Sequence, residues 1–297
     1  MKRLRPFAYV EPATVAEAVQ ALAAGGPESR LLAGGTDLVV DMKTGRMRPP
    51  TVVNLKRVPG LTAIEVVDGG TRIGTLTPVT AIERSVTVQV RHPALAQAAA
   101  ILASPPVRAL ATIGGNIGRA SPASDLAPPL IVHRAVATIH GTDGRRTEPV
   151  EDLYAGPGST TLADHDVIES VFVPRSVPGF GSAHRKFGAR GGGTDIAVVG
   201  VSAGVTLGET GEITDARIVL ASVASTPMRA VEAEGVLRGA EPTHDVISAA
   251  AEAAAAECRP ISDVRASATY RVSLTRVLTI RTLEAALAIA RGEEVSR

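Results

Sequence analysis

Thr112-Ile113-Gly114-Gly115-Asn116-Ile117, followed closely by Ala120-Ser121-Pro122 and Asp125, is the stretch around which the chain is organised. A Gly-Gly pair between a β-branched run and an asparagine leaves the backbone free to take φ > 0 and to expose successive N–H groups. Such a concavity holds anions, and Thr112 and Asn116 add side-chain donors at its rim. The same chemistry occurs upstream, in Leu32-Ala33-Gly34-Gly35-Thr36-Asp37-Leu38. A Gly-Gly pair alone is more often a turn than a ligand site. Two of them, each between an expected strand and an expected helix start, suit a ligand with two linked phosphates, a dinucleotide. No G-x-G-x-x-G follows the first strand and no G-x-x-x-x-G-K-[ST] occurs, which disfavours the two common nucleotide folds.

Around the upstream pair the sequence reads as a small α/β unit. Thr14 and Glu17 form a capping box, Val15, Ala18, Val19 and Leu22 share one helix face, and Gly25-Gly26-Pro27 ends the helix. Residues 30–32 and 51–55 are expected strands, and residues 37–42 a helical turn. Next comes a hairpin, 61–67 and 71–76 about Asp68-Gly69-Gly70, then a helix opened by Thr77 with Pro78 at its first position. An Ala/Leu-rich helix spans 93–103 and stops at Ser104-Pro105-Pro106. Beyond the central stretch, residues 121–126 read as a helix cap, 136–140 as half of a hairpin turning at Asp143-Gly144, and 167–174 as a strand. The remainder changes character: strands at 183–188, 197–207 and 213–224, then helices at 228–238, 243–257 and 264–291. Strands followed by helices make an α+β unit. The expected division is 1–57, 58–177 and 178–297.

The chain has 297 residues, enough for two or three such units, with 31 basic against 30 acidic side chains. With no basic tail and no block of like charges, nucleic acid is not an expected partner. No apolar run reaches membrane-spanning length and no signal-peptide core follows the basic start, so the chain reads as cytoplasmic. Cys258 is its single cysteine, which excludes an internal disulfide and an iron–sulfur cluster held by four of its own thiolates. Its six histidines show no metal-ligand spacing, so any redox metal belongs to a partner.

Individual side chains leave alternatives open. Asp125 is either the cap of its own helix turn or an acceptor for a ribose or ribityl hydroxyl. Lys186 and Arg190 are either solvated strand charges or, for Lys186, a cation near a flavin ring that stabilises its reduced, anionic form. Asp195 follows Gly191-Gly192-Gly193-Thr194, which is a flexible hairpin or a place where backbone approaches a ring closely. His184 reads as structural. No serine triad and no paired carboxylates stand out, so no catalytic residue and no metal ligand is assigned.

Six segments, in order, resemble the FAD-binding medium subunit of the molybdenum hydroxylases, of carbon monoxide dehydrogenase and xanthine dehydrogenase type. They are Phe7-Ala8-Tyr9 with Pro12 and Ala16-Glu17-Ala18; Leu32 to Leu38; Ile73-Gly74-Thr75-Leu76-Thr77; Val107 through Ile117 to Asp125; Lys186-Phe187 with Arg190 and Asp195-Ile196-Ala197; and Ser262 to Ala268 with Tyr270-Arg271. The resemblance implies an α+β fold: a PCMH-type FAD-binding domain of two α/β subdomains, then a domain with a three-stranded sheet and a helix bundle. It places FAD between the two subdomains, with its pyrophosphate against both glycine loops. Carried over by position, Ala33, Gly34, Gly35, Thr36, Asp37 and Leu38 contact FAD from the first loop. Ala103, Ala111, Thr112, Gly115, Asn116, Ser124 and Asp125 do so from the second, with Ile168 and Lys186 near the adenine or flavin end. Leu32, Leu76 and Gly114 complete the expected set.

The resemblance also implies partners: a molybdopterin-containing large subunit that oxidises the substrate and a [2Fe-2S] small subunit that relays electrons to this FAD. NAD or a quinone are the candidate external acceptors. Phe187 is the only aromatic side chain in the flavin segment, where the family often offers one for stacking, and the single cysteine excludes the additional cluster that some relatives insert. The leading reading is therefore an FAD-containing oxidoreductase subunit that transfers electrons. A stand-alone FAD oxidoreductase acting on its own small substrate is the alternative, and a scaffold that no longer holds FAD is the third.

Overall fold

The computed structural model describes residues 4–190 and 195–293, and they form three main sheets and a two-stranded ribbon, with helices packed against the sheets. The first sheet is parallel, in the order β1-β3-β2, from β1 (Ala8–Val10), β2 (Arg30–Leu32) and β3 (Thr51–Asn54). Between its strands lie α1 (Val15–Gly25) and α2 (Leu38–Thr44). The α1 start is as expected: Thr14 Oγ1 accepts from the Glu17 N–H at 3.1 Å, and Glu17 reaches back to the Ala13 N–H. Strand β1 has no counterpart among the expected elements, because three residues with Tyr9 half exposed carry no readable alternation. Ala18, Val19 and Leu22 pack with Val53 and Leu55, and this core is closed by Val167 of the next sheet and by Leu61 and Leu76 just outside its strands.

That second sheet has five antiparallel strands in the order β4-β5-β10-β6-β7. They are β4 (Ile64–Val67), β5 (Gly70–Gly74), β6 (Val136–Gly141), β7 (Gly144–Pro149) and β10 (Val167–Pro174), with a small ribbon of β8 (Tyr154–Gly156) and β9 (Ser159–Thr160). Six short helices connect them: α3 (Val79–Arg84), α4 (Val86–Arg91), α5 (Pro93–Ile101), α6 (Pro105–Arg108), α7 (Ile113–Arg119) and α8 (Ala127–Val132). Ile73, Ala137, Ile139 and Val171 from the sheet meet Ile82, Leu95, Ile113, Ile117 and Leu130 from the helices in the largest core.

The third sheet runs β11 (Phe180–Gly188), β12 (Ala197–Leu207), β13 (Ile213–Ala221) and β14 (Met228–Arg229), all antiparallel, with α9 (Val231–Leu237), α10 (His244–Glu257) and α11 (Ala268–Ala290). Three long strands and a helix bundle are as read from the sequence, and β14 adds a two-residue edge.

Several boundaries differ, each for a tertiary reason. Pro78 is extended and precedes α3, because residues 77–79 bridge to 111–113: Val79 N donates to Ala111 O at 2.9 Å and Ile113 N to Thr77 O at 3.2 Å. The third long strand stops at Ala221, where Ser222 turns to φ +66° and its carbonyl accepts from Arg271 at 3.0 Å. The ninth helix starts only at Val231, since Met228 and Arg229 pair with β13. The last helix begins at Ala268, because Asp263 accepts from the Arg265 and Ala266 N–H groups and folds the preceding residues into a turn. The Gly191-Gly192-Gly193-Thr194 turn lies outside the described residues.

Helix α5 packs on β11, and this junction buries three histidines. His133 faces Ser182 Oγ at 3.0 Å and the His92 ring edge-on at 5.0 Å, while His184 Nδ1 lies 2.8 Å from Ser202 Oγ. Burial pushes His133 and His184 down to about 3, and burial with Arg91 nearby pushes His92 down to about 4. A histidine depressed in the folded state binds its proton more readily when unfolded. The stability it confers is therefore complete above its unfolded value and is lost as the pH falls below about 6.5. Urea unfolding of the FAD-free chain at pH 7.5 and pH 4.5 is expected to show that loss, and His133→Gln, which keeps an acceptor for Ser182, to reduce the slope.

Candidate functional site

The two glycine pairs solve different problems. In the first loop Gly35 takes φ +75°, the left-handed turn that lets β2 pass into α2. The N–H groups of Gly34, Gly35, Thr36, Asp37 and Leu38 donate to no acceptor among the described residues, so five successive donors stay free, as expected of an anion-holding loop. Gly34 serves another purpose: a Cβ there would lie 1.9 Å from the Leu110 carbonyl oxygen. Only glycine allows the first loop to press on the backbone of the second.

The second pair departs from the expectation. Gly114 and Gly115 do not form an open nest but the first turn of α7, and neither has positive φ. Their N–H groups are already used: Gly114 N donates to Thr75 O at 2.9 Å and Gly115 N to the cap hydroxyl of Thr112 at 3.1 Å. Asn116 N bonds to Thr112 O. The Thr75 carbonyl and the Thr112 cap have taken the helix N-terminal donors that the sequence suggested for a ligand. What the glycines supply is closeness. A Cβ on Gly114 would lie 1.7 Å from Thr75 Oγ1, whereas one on Gly115 would lie 3.0 Å from the cap hydroxyl Thr112 Oγ1 and 3.9 Å from Ala33 Cβ across the gap. Ala33, Gly34, Ala111 and Gly115 thus converge.

One turn further along α7, Asn116 begins a second cluster. Its Oδ1 accepts from Ser124 Oγ at 2.6 Å, and Ser124 Oγ in turn accepts from Ala127 N at 3.1 Å. Ser124, rather than Asp125, therefore caps the turn into α8. Asp125 points instead to Lys186, whose Nζ lies 3.0 Å from Oδ2 and donates to the Ile101 carbonyl at 2.7 Å. The Lys186 side chain is 2% exposed and is not a solvated strand charge. Arg190 is exposed and holds Asp195. Burial pushes the Asp125 carboxyl up to about 6, against the pull of Lys186. Its Oδ1 is buried and has no hydrogen-bond partner among the described residues.

The remaining expected residues frame these clusters. Ala103 follows α5 at φ +43°, and its carbonyl is held by Arg108 at 3.0 Å. Leu76 and Ile168 are buried in the cores, flanking the chain of bonds that runs from Gly114 N to Thr75 O and from Thr75 N to Glu169 O. Leu32 packs beneath Gly35. His184 is buried, consistent with a structural reading. Sequence reasoning missed Thr75 and Ile101, which act through backbone carbonyls and so carry no side-chain signature.

Residues 5–176 match the family described as the FAD binding domain in molybdopterin dehydrogenase, and residues 183–286 match the CO dehydrogenase flavoprotein C-terminal domain. The chain belongs to this flavoprotein family. FAD is its cofactor, and it is a flavoprotein subunit of the dehydrogenase type. It is 35% identical to the 6-hydroxypseudooxynicotine dehydrogenase complex subunit alpha of Paenarthrobacter nicotinovorans, over 98% of this chain and 97% of that one. It is 34% identical to the carbon monoxide dehydrogenase medium chain of Hydrogenophaga pseudoflava, over 95% and 97%. A solved carbon monoxide dehydrogenase from the same organism superposes with a TM-score of 0.92, covering 97% of this chain and 99% of that chain at 34% identity.

The residues present fit FAD. Free backbone N–H groups at 34–38 match phosphate oxygens, and the unpartnered Asp125 oxygen, ionised at neutral pH, matches a sugar or ribityl hydroxyl. The glycines of the second loop separate two effects. Gly114→Ala is expected to lower the stability of the FAD-free chain by about 1–3 kcal/mol through its collision with Thr75. Gly115→Val is expected to fold and to lose FAD, as read by thermal melting and flavin absorbance. Because the ionised Asp125 accepts a hydroxyl more strongly than the neutral acid does, FAD affinity should weaken as the pH drops below about 6, and titration of Asp125→Asn should show a flatter profile.

Proposed function

We propose that this chain is the FAD-binding electron-transfer subunit of a molybdopterin-dependent hydroxylase or dehydrogenase, accepting electrons from the [2Fe-2S] clusters of a partner and passing them to an external acceptor. The observation that carries this reading is the pairing of five free N–H donors in the first loop with a buried, unpartnered carboxylate oxygen beyond the second. One set suits a pyrophosphate and the other a hydroxyl of the same cofactor. The names of the relatives, a medium chain and a subunit of a dehydrogenase complex, support partners that carry the substrate chemistry.

In this reading Gly34 to Leu38 hold the phosphates by their N–H groups. Leu32, Ala33, Ala111, Thr112 and Gly115 form the walls of the gap between the loops, with Gly114 packed on Thr75 behind them. Asn116, Ser124 and Asp125 orient a hydroxyl, with Ala103, Leu76 and Ile168 at the edges. Bound FAD supplies a carrier that takes up electrons one or two at a time. Lys186, locked between Ile101 and Asp125, keeps the Asp125 carboxylate aimed and provides a fixed positive charge beside the site. A molybdopterin large subunit and a [2Fe-2S] small subunit are the proposed partners, and NAD or a quinone the proposed acceptor. The division at 57 and 177 is proposed on the same footing.

The purified chain should show flavin absorbance, and reduction by an organic substrate should require co-expressed partner subunits that contain molybdenum and iron. Reduction of the isolated flavoprotein by a small substrate alone would instead favour the stand-alone oxidoreductase.

A further inference from the structure

The segments carrying the two glycine pairs are joined by one side chain. Arg119, the last residue of α7, donates from Nη1 to Asp41 Oδ2 at 2.9 Å, and its Nε lies 3.5 Å from Asp37 Oδ1. Both acids belong to the segment that leaves the first loop, Asp37 immediately before α2 and Asp41 one turn inside it. Among the described residues, no other hydrogen bond or ion pair joins residues 33–44 to residues 110–120. Elsewhere the two segments meet without polar bonds: Gly34 lies against the Leu110 backbone, where a Cβ would fall 1.9 Å from the carbonyl oxygen, and a Cβ on Gly115 would fall 3.9 Å from Ala33. Such approaches limit how near the loops come but do not hold them together.

The geometry of the pair suits a clamp. The Asp41 side chain is 5% exposed, so its attraction to Arg119 is poorly screened. Its second partner, Arg46, lies 3.4 Å away with a side chain that is 69% exposed, and contributes less. Arg119 sits in the last turn of its helix, where the carbonyl dipoles favour a cation. Its base is anchored away from the first loop: Ala120 turns the chain at φ +47°, and the Ala120 carbonyl accepts from Gly158 N at 2.9 Å. The guanidinium therefore reaches from a fixed base onto α2.

We propose that Arg119 is a positioning residue that clamps the first glycine loop against the second and thereby slows the departure of FAD. This rests on the placement of FAD between the loops. Arg119→Gln is expected to release FAD about tenfold faster, the consequence of losing a charge-assisted hydrogen bond. Arg119→Lys, which keeps a cation within reach of Asp41, should recover most of the retention.

The experiment follows flavin fluorescence after dilution of the FAD-loaded proteins, together with melting of the FAD-free forms. Fast release from Arg119→Gln, recovery with lysine and a small change in the FAD-free melting temperature support the clamp. Release at the native rate from Arg119→Gln, with fast release from Gly115→Val, overturns the clamp alone. Fast release that lysine does not recover, with an equally large fall in the FAD-free melting temperature, also overturns it, since Arg119 would then serve general packing. Native release rates from both Arg119→Gln and Gly115→Val overturn the clamp together with the loop placement.

Discussion

The ammonium of Lys186 joins parts of the molecule that are far apart in sequence. It stands on the first strand of the third sheet, with its side chain buried, and bonds to the last carbonyl of α5, that of Ile101, and to Asp125 at the entrance to α8. Taking an ammonium out of water is costly and is offset only when its hydrogen bonds are met with good geometry. Each of the three segments must therefore stay where it is for the charge to remain satisfied. The C-terminal end of α5 is doubly held, since Arg108 takes the carbonyls of Leu102 and Ala103 just beyond. The left-handed Ala103 is kept in place by this pair of cations.

The same constraint shapes the site's chemistry. A carboxyl buried beside a buried ammonium keeps one oxygen for the ion pair and leaves the other without a partner. In a folded protein such an oxygen is a cost unless a ligand supplies the donor. The neighbouring Ser124 hydroxyl caps α8 and fixes Asn116, so α7, α8 and the strand carrying Lys186 form a rigid wall. The first loop differs, because its donors are free and it meets the wall by contact with Leu110 and through Arg119. In the proposed reading, the wall and the loop with free donors hold the cofactor from two sides.

The junction between α5 and the third sheet extends the wall into a polar seam. His92 meets Thr71, His133 meets Ser182, and His184 meets Ser202, each through one ring nitrogen. The His133–Ser182 contact bridges the second unit to the third sheet, while the His92 and His184 bonds stay within the second unit and the third sheet respectively, all three rings being uncharged at neutral pH.

The order of strands and helices, the capping of α1, the importance of both glycine pairs and the family likeness were legible in the sequence. They follow from local signals: period, turn residues and short motifs. Short-range patterns could not disclose what the backbone does across long distances. Gly114 and Gly115 read as an open nest, and the tertiary structure decided that they begin a helix, because the carbonyls of Thr75 and Thr77 lie in place to take the N–H groups of Gly114 and Ile113. Asp125 read first as a cap. The structure pairs it instead with Lys186, 61 residues away, while Ser124 accepts the Ala127 N–H at the turn into α8. Sequence alone thus determined which residues are conformationally special. Only the fold determined which of their hydrogen bonds are already made and which remain for a cofactor, since that depends on partners brought together from distant parts of the chain.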